Sequence, residues 1–166
     1  MAAIGLFPVS SARVIYSNRR GFLTLAEHQL KVADRSNSTL TLIFMDLDNF
    51  KSINDTLGHA EGDKVLFYAA EILRNTFRQS DVLGRFGGDE FVVLVTDEHD
   101  TTEDVLKARL ETSLHEFNSE RAASYKISTS VGIARRGPEF RCSLKEFLEL
   151  ADSLMYQDKQ RKHLDR

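Results

Sequence analysis

Residues 82–95 read Val82-Leu-Gly-Arg-Phe-Gly-Gly-Asp-Glu-Phe-Val-Val-Leu-Val95: two strand-like runs, Val82 to Phe86 and Phe91 to Val95, around Gly87-Gly88-Asp89-Glu90. β-branched and aromatic residues flanking paired glycines predict a β-hairpin, with the glycines supplying the positive φ of a tight turn. Upstream, Leu40-Thr-Leu-Ile-Phe-Met45 is a nearly continuous apolar run, the pattern of a strand buried on both faces, and it stops at Asp46-Leu47-Asp48. Downstream, Tyr125, Ile127, Thr129, Val131 and Ile133 alternate as a further strand. Helical spacing fills the intervals. Phe22, Leu25, Ala26, Leu30 and Ala33 predict a first helix ending near Arg35 to Ser38, and Asn49 to Thr56 suits a short one closed at Gly58. Val65, Leu66, Ala69, Ile72, Leu73 and Phe77 share a face of a longer helix. Asp100 with Glu103 and Ser143 with Glu146 read as capping boxes, opening helices that carry Leu106, Leu110, Leu114 and Phe117, and Leu144, Phe147, Leu148, Ala151, Leu154 and Met155. The order α-β-α-α-β-β-α-β-α predicts an α+β fold with a mixed sheet covered by helices, as in ferredoxin-like folds.

The 166 residues are 42% hydrophobic and 28% charged with a formal net charge of −3, which describes one globular domain large enough to bury a core without disulfides. A single cysteine, Cys142, excludes a disulfide framework and fits an intracellular chain. The acidic balance and lack of a long basic run argue against nucleic-acid or membrane binding as the main activity. No stretch approaches the roughly 18 apolar residues of a membrane span. Residues 1–17 read as a lead-in and 18–166 as the single domain. The lead-in imitates a signal peptide only faintly, with Ala2 to Val9 followed by Ser10-Ser11-Ala12 and no preceding positive charge.

Two acidic clusters, Asp46-Leu47-Asp48 and Asp89-Glu90, each sit at the end of a predicted strand. Residues i and i+2 of an extended chain share a face, so Asp46 and Asp48 are able to point together. If the strands are neighbours, several carboxylates converge at one sheet edge and repel one another unless a cation neutralises them. Hard oxygen ligands of this kind suit Mg²⁺ or Mn²⁺. Gly87 and Gly88 lack a Cβ and would let a phosphate approach backbone amides beside the metal. Together these features point to phosphoryl or nucleotidyl transfer. The plainer alternative is a solvated turn beside an unrelated strand-ending aspartate.

Gly87-Gly88-Asp89-Glu90-Phe91 spells the signature of the GGDEF family, which would arise by chance on the order of once in ten thousand chains of this length. Asp46-Leu-Asp-Asn-Phe-Lys-Ser-Ile-Asn-Asp55, Gly58-His59, Gly62-Asp63, Arg85-Phe86 and Ser130-Val-Gly132 follow the same family's pattern in order, so the chain resembles it over about residues 18 to 160. The resemblance implies a nucleotide cyclase-like, palm-type domain with a mainly antiparallel sheet of about five strands. It implies a diguanylate cyclase that condenses two GTP to cyclic di-GMP with two Mg²⁺ or Mn²⁺ per site. By position, Asp46, the Leu47 carbonyl and Asp89 are metal ligands. Asp89 is also the acceptor of the 3′-hydroxyl proton, and Glu90 supports metals or phosphates. Asn54 and Asp63 read guanine, whose N1–H and amine suit a carboxylate acceptor. Phosphates lie over Asn49 to Lys51, including Phe50, at a helix N-terminus, with Lys159 as a further phosphate ligand. Arg78-Gln-Ser-Asp81 has the register of the family's inhibitory product site, against the plainer reading of an arginine near a helix end and a turn aspartate. His59 reads as a helix-entry residue rather than a metal ligand.

Two departures from the family's pattern stand out. Of its D-x-L-T-G-L-x-N-R entrance only Asn18-Arg19 is present, and Lys162-His163 replaces the Gly-Arg that follows the phosphate-binding lysine. Catalysis would need two copies facing each other, paired by an upstream sensory or dimerising domain, in the bacterial cytoplasm, with no nucleic-acid or membrane contact by this domain. A non-catalytic module binding GTP or cyclic di-GMP is the competing reading, disfavoured by the intact signature.

Overall fold

The computed structural model describes residues 18–96, 101–121 and 123–164. The lead-in 1–17 and the expected cap Asp100 lie outside them. The elements run α1 (Arg19–Ser36), β1 (Leu40–Leu47), α2 (Phe50–Leu57), α3 (His59–Thr76), β2 (Val82–Arg85), β3 (Glu90–Thr96), α4 (Glu103–Glu120), β4 (Thr129–Arg136) and α5 (Leu144–Leu164), in the predicted order. The sheet is β2-β3-β1-β4, and every neighbouring pair is antiparallel.

Among the described residues the sheet has four strands rather than about five, and β4 starts at Thr129 rather than at Tyr125. The physical reason is local. The Asn118 side chain on α4 takes both backbone groups of Ile127, donating to its carbonyl at 2.8 Å and accepting from its amide at 2.8 Å, so that stretch is paired to a helix. α4 itself is capped by Thr102, whose hydroxyl accepts from the Val105 amide. The Ser143–Glu146 box at α5 forms as predicted, with the Ser143 amide donating to Glu146 and the Glu146 amide to the Ser143 hydroxyl.

Strand periodicity sorts the core into two layers. Leu40, Leu42 and Phe44 of β1 and Val92 and Leu94 of β3 face α1 and α5, packing on Phe22, Ala26, Leu30, Phe147, Ala151 and Met155. Ile43, Met45 and Leu47, with Phe91 and Val93, face α3 and α4 and pack on Val65, Ala69, Leu73, Leu106 and Leu110. α5 lies close enough to β4 that a Cβ on Gly132 would fall 2.0 Å from the Ala151 carbonyl oxygen. Buried Arg136 ties the far end of β4 to α1 through two bonds to the Asp34 carboxylate, at 2.9 and 3.1 Å.

Candidate active site

Parity carries the carboxylates to the α5 face. Asp46 continues the series Leu40, Leu42, Phe44, and Glu90 continues Leu94, Val92. The register pairs Asp46 with Glu90 directly across β1 and β3, so the two acidic motifs share one sheet edge, as the neighbouring-strand expectation required. The Leu47 amide donates to the Asp89 carbonyl at 3.1 Å and stitches them together.

The turn differs from expectation in its mechanism. Neither Gly87 nor Gly88 lies in the left-handed region. A Cβ on Gly87 would sit 2.2 Å from Glu90 Oε2, the end of a side chain that can swing aside, whereas a Cβ on exposed Gly88 would meet no described residue within 4 Å. Arg85 holds the turn instead, donating to the Gly87 and Gly88 carbonyls at 3.2 and 2.7 Å.

Burial and crowded charge together disfavour ionisation of these carboxylates. Burial pushes the Asp46 carboxyl above the usual range, opposed by a hydrogen bond from Lys159 and reinforced by the charges of Asp89 and Asp48. Burial likewise raises Glu90, with Asp46, Asp89 and Asp152 adding repulsion. The Lys159 ammonium donates to Asp46 Oδ1 at 2.7 Å, and that bond raises its own pKa. Asp48 shares the face but not the role. Its carboxylate accepts from the Ser128 and Ser130 hydroxyls at 3.0 and 2.6 Å, with Lys162 at 3.8 Å.

Among the described residues no three His, Cys, Asp or Glu side chains converge into a cation cage. The candidate donors are two carboxylates, Asp46 and Asp89, and the Leu47 carbonyl. That set suits Mg²⁺, which takes one or two carboxylates and leaves the rest of its shell to water and phosphate. The surplus of negative charge at this edge favours a cation in the same place.

The other expected site residues flank this edge. Asn49 adopts a left-handed conformation, φ 58° and ψ 21°, and enters α2 without a side-chain cap, so Phe50 and Lys51 begin the helix at an end that offers first-turn amides. Half-buried Asn54 lies against α3, where a Cβ on Gly62 would come within 1.8 Å of Asn54 Oδ1. Exposed Asp63 follows Gly62 in the first turns of α3, and His59 is the first residue of that helix. Lys159, Lys162 and His163 of α5 line a small recess with Asp48 and Asn49. Arg78 and Asp81 form the turn into β2. The Asp81 carboxylate accepts from the amides of Arg78 at 2.8 Å and Thr96 at 3.2 Å, and burial raises its pKa against those bonds.

Two groups that support the site were not anticipated. Buried Asp158 accepts from the edge amide of Val131 at 3.0 Å and from Arg161, with Lys162 at 3.3 Å. Burial alone would raise it, yet the Val131 amide and the charges of Lys162 and Lys107 hold it below the usual range. Its signal was a carboxylate on the buried stripe Ala151, Met155, Asp158. Tyr125 donates to Glu61 at 2.7 Å and pins the first turn of α3, burial and that bond pushing its pKa up to about 12.

The chain matches the family described as "Diguanylate cyclase, GGDEF domain" over residues 16–164. "Probable diguanylate cyclase DgcC" of Escherichia coli K12 is 34% identical over 142 residues, 86% of this chain and 38% of the relative. "Diguanylate cyclase A" of Treponema denticola is 33% identical over 142 residues, 84% of this chain and 38% of the relative. The chain thus spans well under half the length of these curated relatives. Among solved structures, the GGDEF domain of TpbB (YfiN) from Pseudomonas aeruginosa superposes with a TM-score of 0.78 at 31% identity, covering 88% of this chain and 86% of that one. The GGDEF domain of DgcB from Caulobacter crescentus, in complex with c-di-GMP, superposes with a TM-score of 0.75 at 26% identity, covering 95% and 94%. With the signature at the hairpin turn and the match running nearly end to end, the chain belongs to the GGDEF-domain family of diguanylate cyclases.

Proposed function

We propose that this domain is a working diguanylate cyclase, joining two GTP into cyclic di-GMP and releasing two pyrophosphates. The observation that carries the reading is the sheet edge where Asp46 faces Glu90 across paired strands, beside Asp89 and a Gly88 whose open side no described residue fills. Asp46, Asp89 and the Leu47 carbonyl would hold divalent ions, which when bound acidify the attacking hydroxyl and stabilise pyrophosphate as it leaves.

The remaining chemistry falls to the chain's own residues. Asn54 and Asp63 orient guanine. The Asp63 carboxylate accepts from N1–H and the exocyclic amine, whereas adenine offers an acceptor at N1 and would leave that carboxylate facing a lone pair. The α2 amides around Phe50 and Lys51, with Lys159, receive the phosphates. Asp89 accepts the 3′-hydroxyl proton as the 3′-oxygen bonds to the α-phosphorus of the second GTP and the bond to pyrophosphate breaks. The same event in the other direction closes the ring. Each domain carries one nucleotide, so two copies meet antisymmetrically, with the in-line geometry set by their pairing. An upstream sensory or dimerising domain would supply that pairing, in the bacterial cytoplasm.

Arg78 and Asp81 form the product-inhibition site in this reading. Exposed Arg78 is the group suited to a phosphate or guanine edge, while Asp81 also holds its own turn. Arg78→Ala is expected to keep turnover while losing feedback by added cyclic di-GMP. The primary test is nucleotide chromatography after incubating concentrated protein with Mg²⁺ and GTP, with ATP and Asp89→Ala in parallel. Cyclic di-GMP from GTP alone, lost in Asp89→Ala, supports the cyclase. No product even from an artificially dimerised form would defeat it in favour of a binding module.

A further inference from the structure

Lys159 and Asp46 are unequal partners. Asp46 is set by the sheet, with its side chain 9% exposed, whereas Lys159 is 34% exposed on a flexible stem from α5. The carboxylates that act on Asp46, those of Asp89, Asp48 and the facing Glu90, are repulsive. The same lysine borders the recess that holds Asn49, Lys162 and His163 at the entrance to α2. It therefore stands between two anionic destinations: Asp46 now, and phosphates at the α2 N-terminus once nucleotide arrives. A divalent cation at Asp46 would repel the ammonium that sits 2.7 Å from Oδ1 and compete with it for that carboxylate.

We propose that Lys159 is a place-holding counter-ion: it occupies the cation's seat at Asp46 in the nucleotide-free protein and yields that carboxylate when nucleotide phosphates give the ammonium a second partner. The inference rests on the cyclase reading and deepens it. Its consequence is coupling, since each ligand strengthens the other by the same factor through the release of one lysine.

The test is Mn²⁺ titration of the full chain followed by electron paramagnetic resonance of the free ion. It is run with and without a GTP analogue carrying a methylene bridge between the α and β phosphorus atoms, so that no turnover contributes. Lys159→Met is expected to bind Mn²⁺ without nucleotide about tenfold more tightly than the wild type, and to lose a matching share of the nucleotide's enhancement. Lys162→Met removes a charge 3.8 Å from Asp48 without touching Asp46, and is expected to change Mn²⁺ affinity much less. Equal gains in both variants would reduce the effect to general charge and overturn the proposal. An unchanged Lys159→Met would overturn it too, while Mn²⁺ binding abolished by Asp46→Asn would leave the cyclase reading standing. No Mn²⁺ binding by the wild type with the analogue present would sink both. In the wild type, the side-chain ammonium resonance of Lys159 should change its chemical shift when Mg²⁺ and analogue are added together, as its partner changes from the Asp46 carboxylate at 2.7 Å to phosphate. A shift that stays unaltered contradicts the exchange, even if a variant misfolds.

Discussion

Two carboxylates of opposite tendency show how individual residues trade stability for chemistry. Glu90 is raised by burial and by neighbouring charge, so its ionised form weakens the fold, a cost absent at low pH and present above its folded pKa. Glu90→Gln is expected to lose activity yet raise the thermal midpoint at neutral pH, the gain fading by about pH 3.5, where the carboxyl is protonated folded or unfolded. Asp34 behaves oppositely. The Arg136 hydrogen bond lowers its pKa below 3.8, so its contribution is present above that value and lost as pH falls through the folded pKa. Asp34→Asn should therefore lower the midpoint at neutral pH, and the two unfolding curves should converge in acid. Thermal denaturation at a series of pH values reads both, and a midpoint change of the same sign in the two variants would contradict this assignment. Arg85 belongs to the same scale, since its bonds to the Gly87 and Gly88 carbonyls do the holding that positive-φ glycines were expected to do.

At the scale of elements, α5 is the piece that joins core to chemistry. Its first two turns bury Leu144, Phe147, Leu148 and Ala151 against α1 and the sheet, and its last turns deliver Asp158, Lys159 and Lys162 to the strand ends. That delivery depends on how closely α5 lies over β4. Gly132→Ala would set a methyl 2.0 Å from the Ala151 carbonyl oxygen, backbone that cannot swing aside. It is expected to cost about 1–3 kcal/mol by overpacking, and to lower turnover further by displacing Lys159. Chemical denaturation alongside GTP turnover checks both, and an unaltered stability would mean that the helix shifts freely. Ser143→Ala removes the cap at the far end of the same helix and should cost about 1 kcal/mol without altering turnover per folded molecule. Its effect stays at the start of the helix because the site lies about four turns away.

At the scale of the whole molecule, the proposed function makes one domain half of a reaction. In the cyclase reading the productive species is a pair, so turnover per milligram should rise with protein concentration for the isolated chain and become independent of it when a parallel coiled coil is fused upstream. Dilution series of both forms measure this, and a concentration-independent rate for the isolated chain would mean that it pairs by itself. Among the described residues no helix is long and apolar enough to cross a membrane. Much of this molecule was legible in the sequence: apolar periodicity determined the element order, and the Gly87 to Phe91 turn with Asp46 to Asp48 marked the candidate site, because hydrophobic spacing and short motifs are local properties of the chain. Other features appeared only in three dimensions. The β1–β3 register put Asp46 opposite Glu90, Asn118 took the backbone of Ile127 out of the sheet, and Arg85 rather than glycine φ held the turn. The pairing of Lys159 with Asp46 joins residues 113 apart in the chain. Contacts of that kind are decided by which strands become neighbours and how closely a helix lies across them, and no local pattern of residues encodes either.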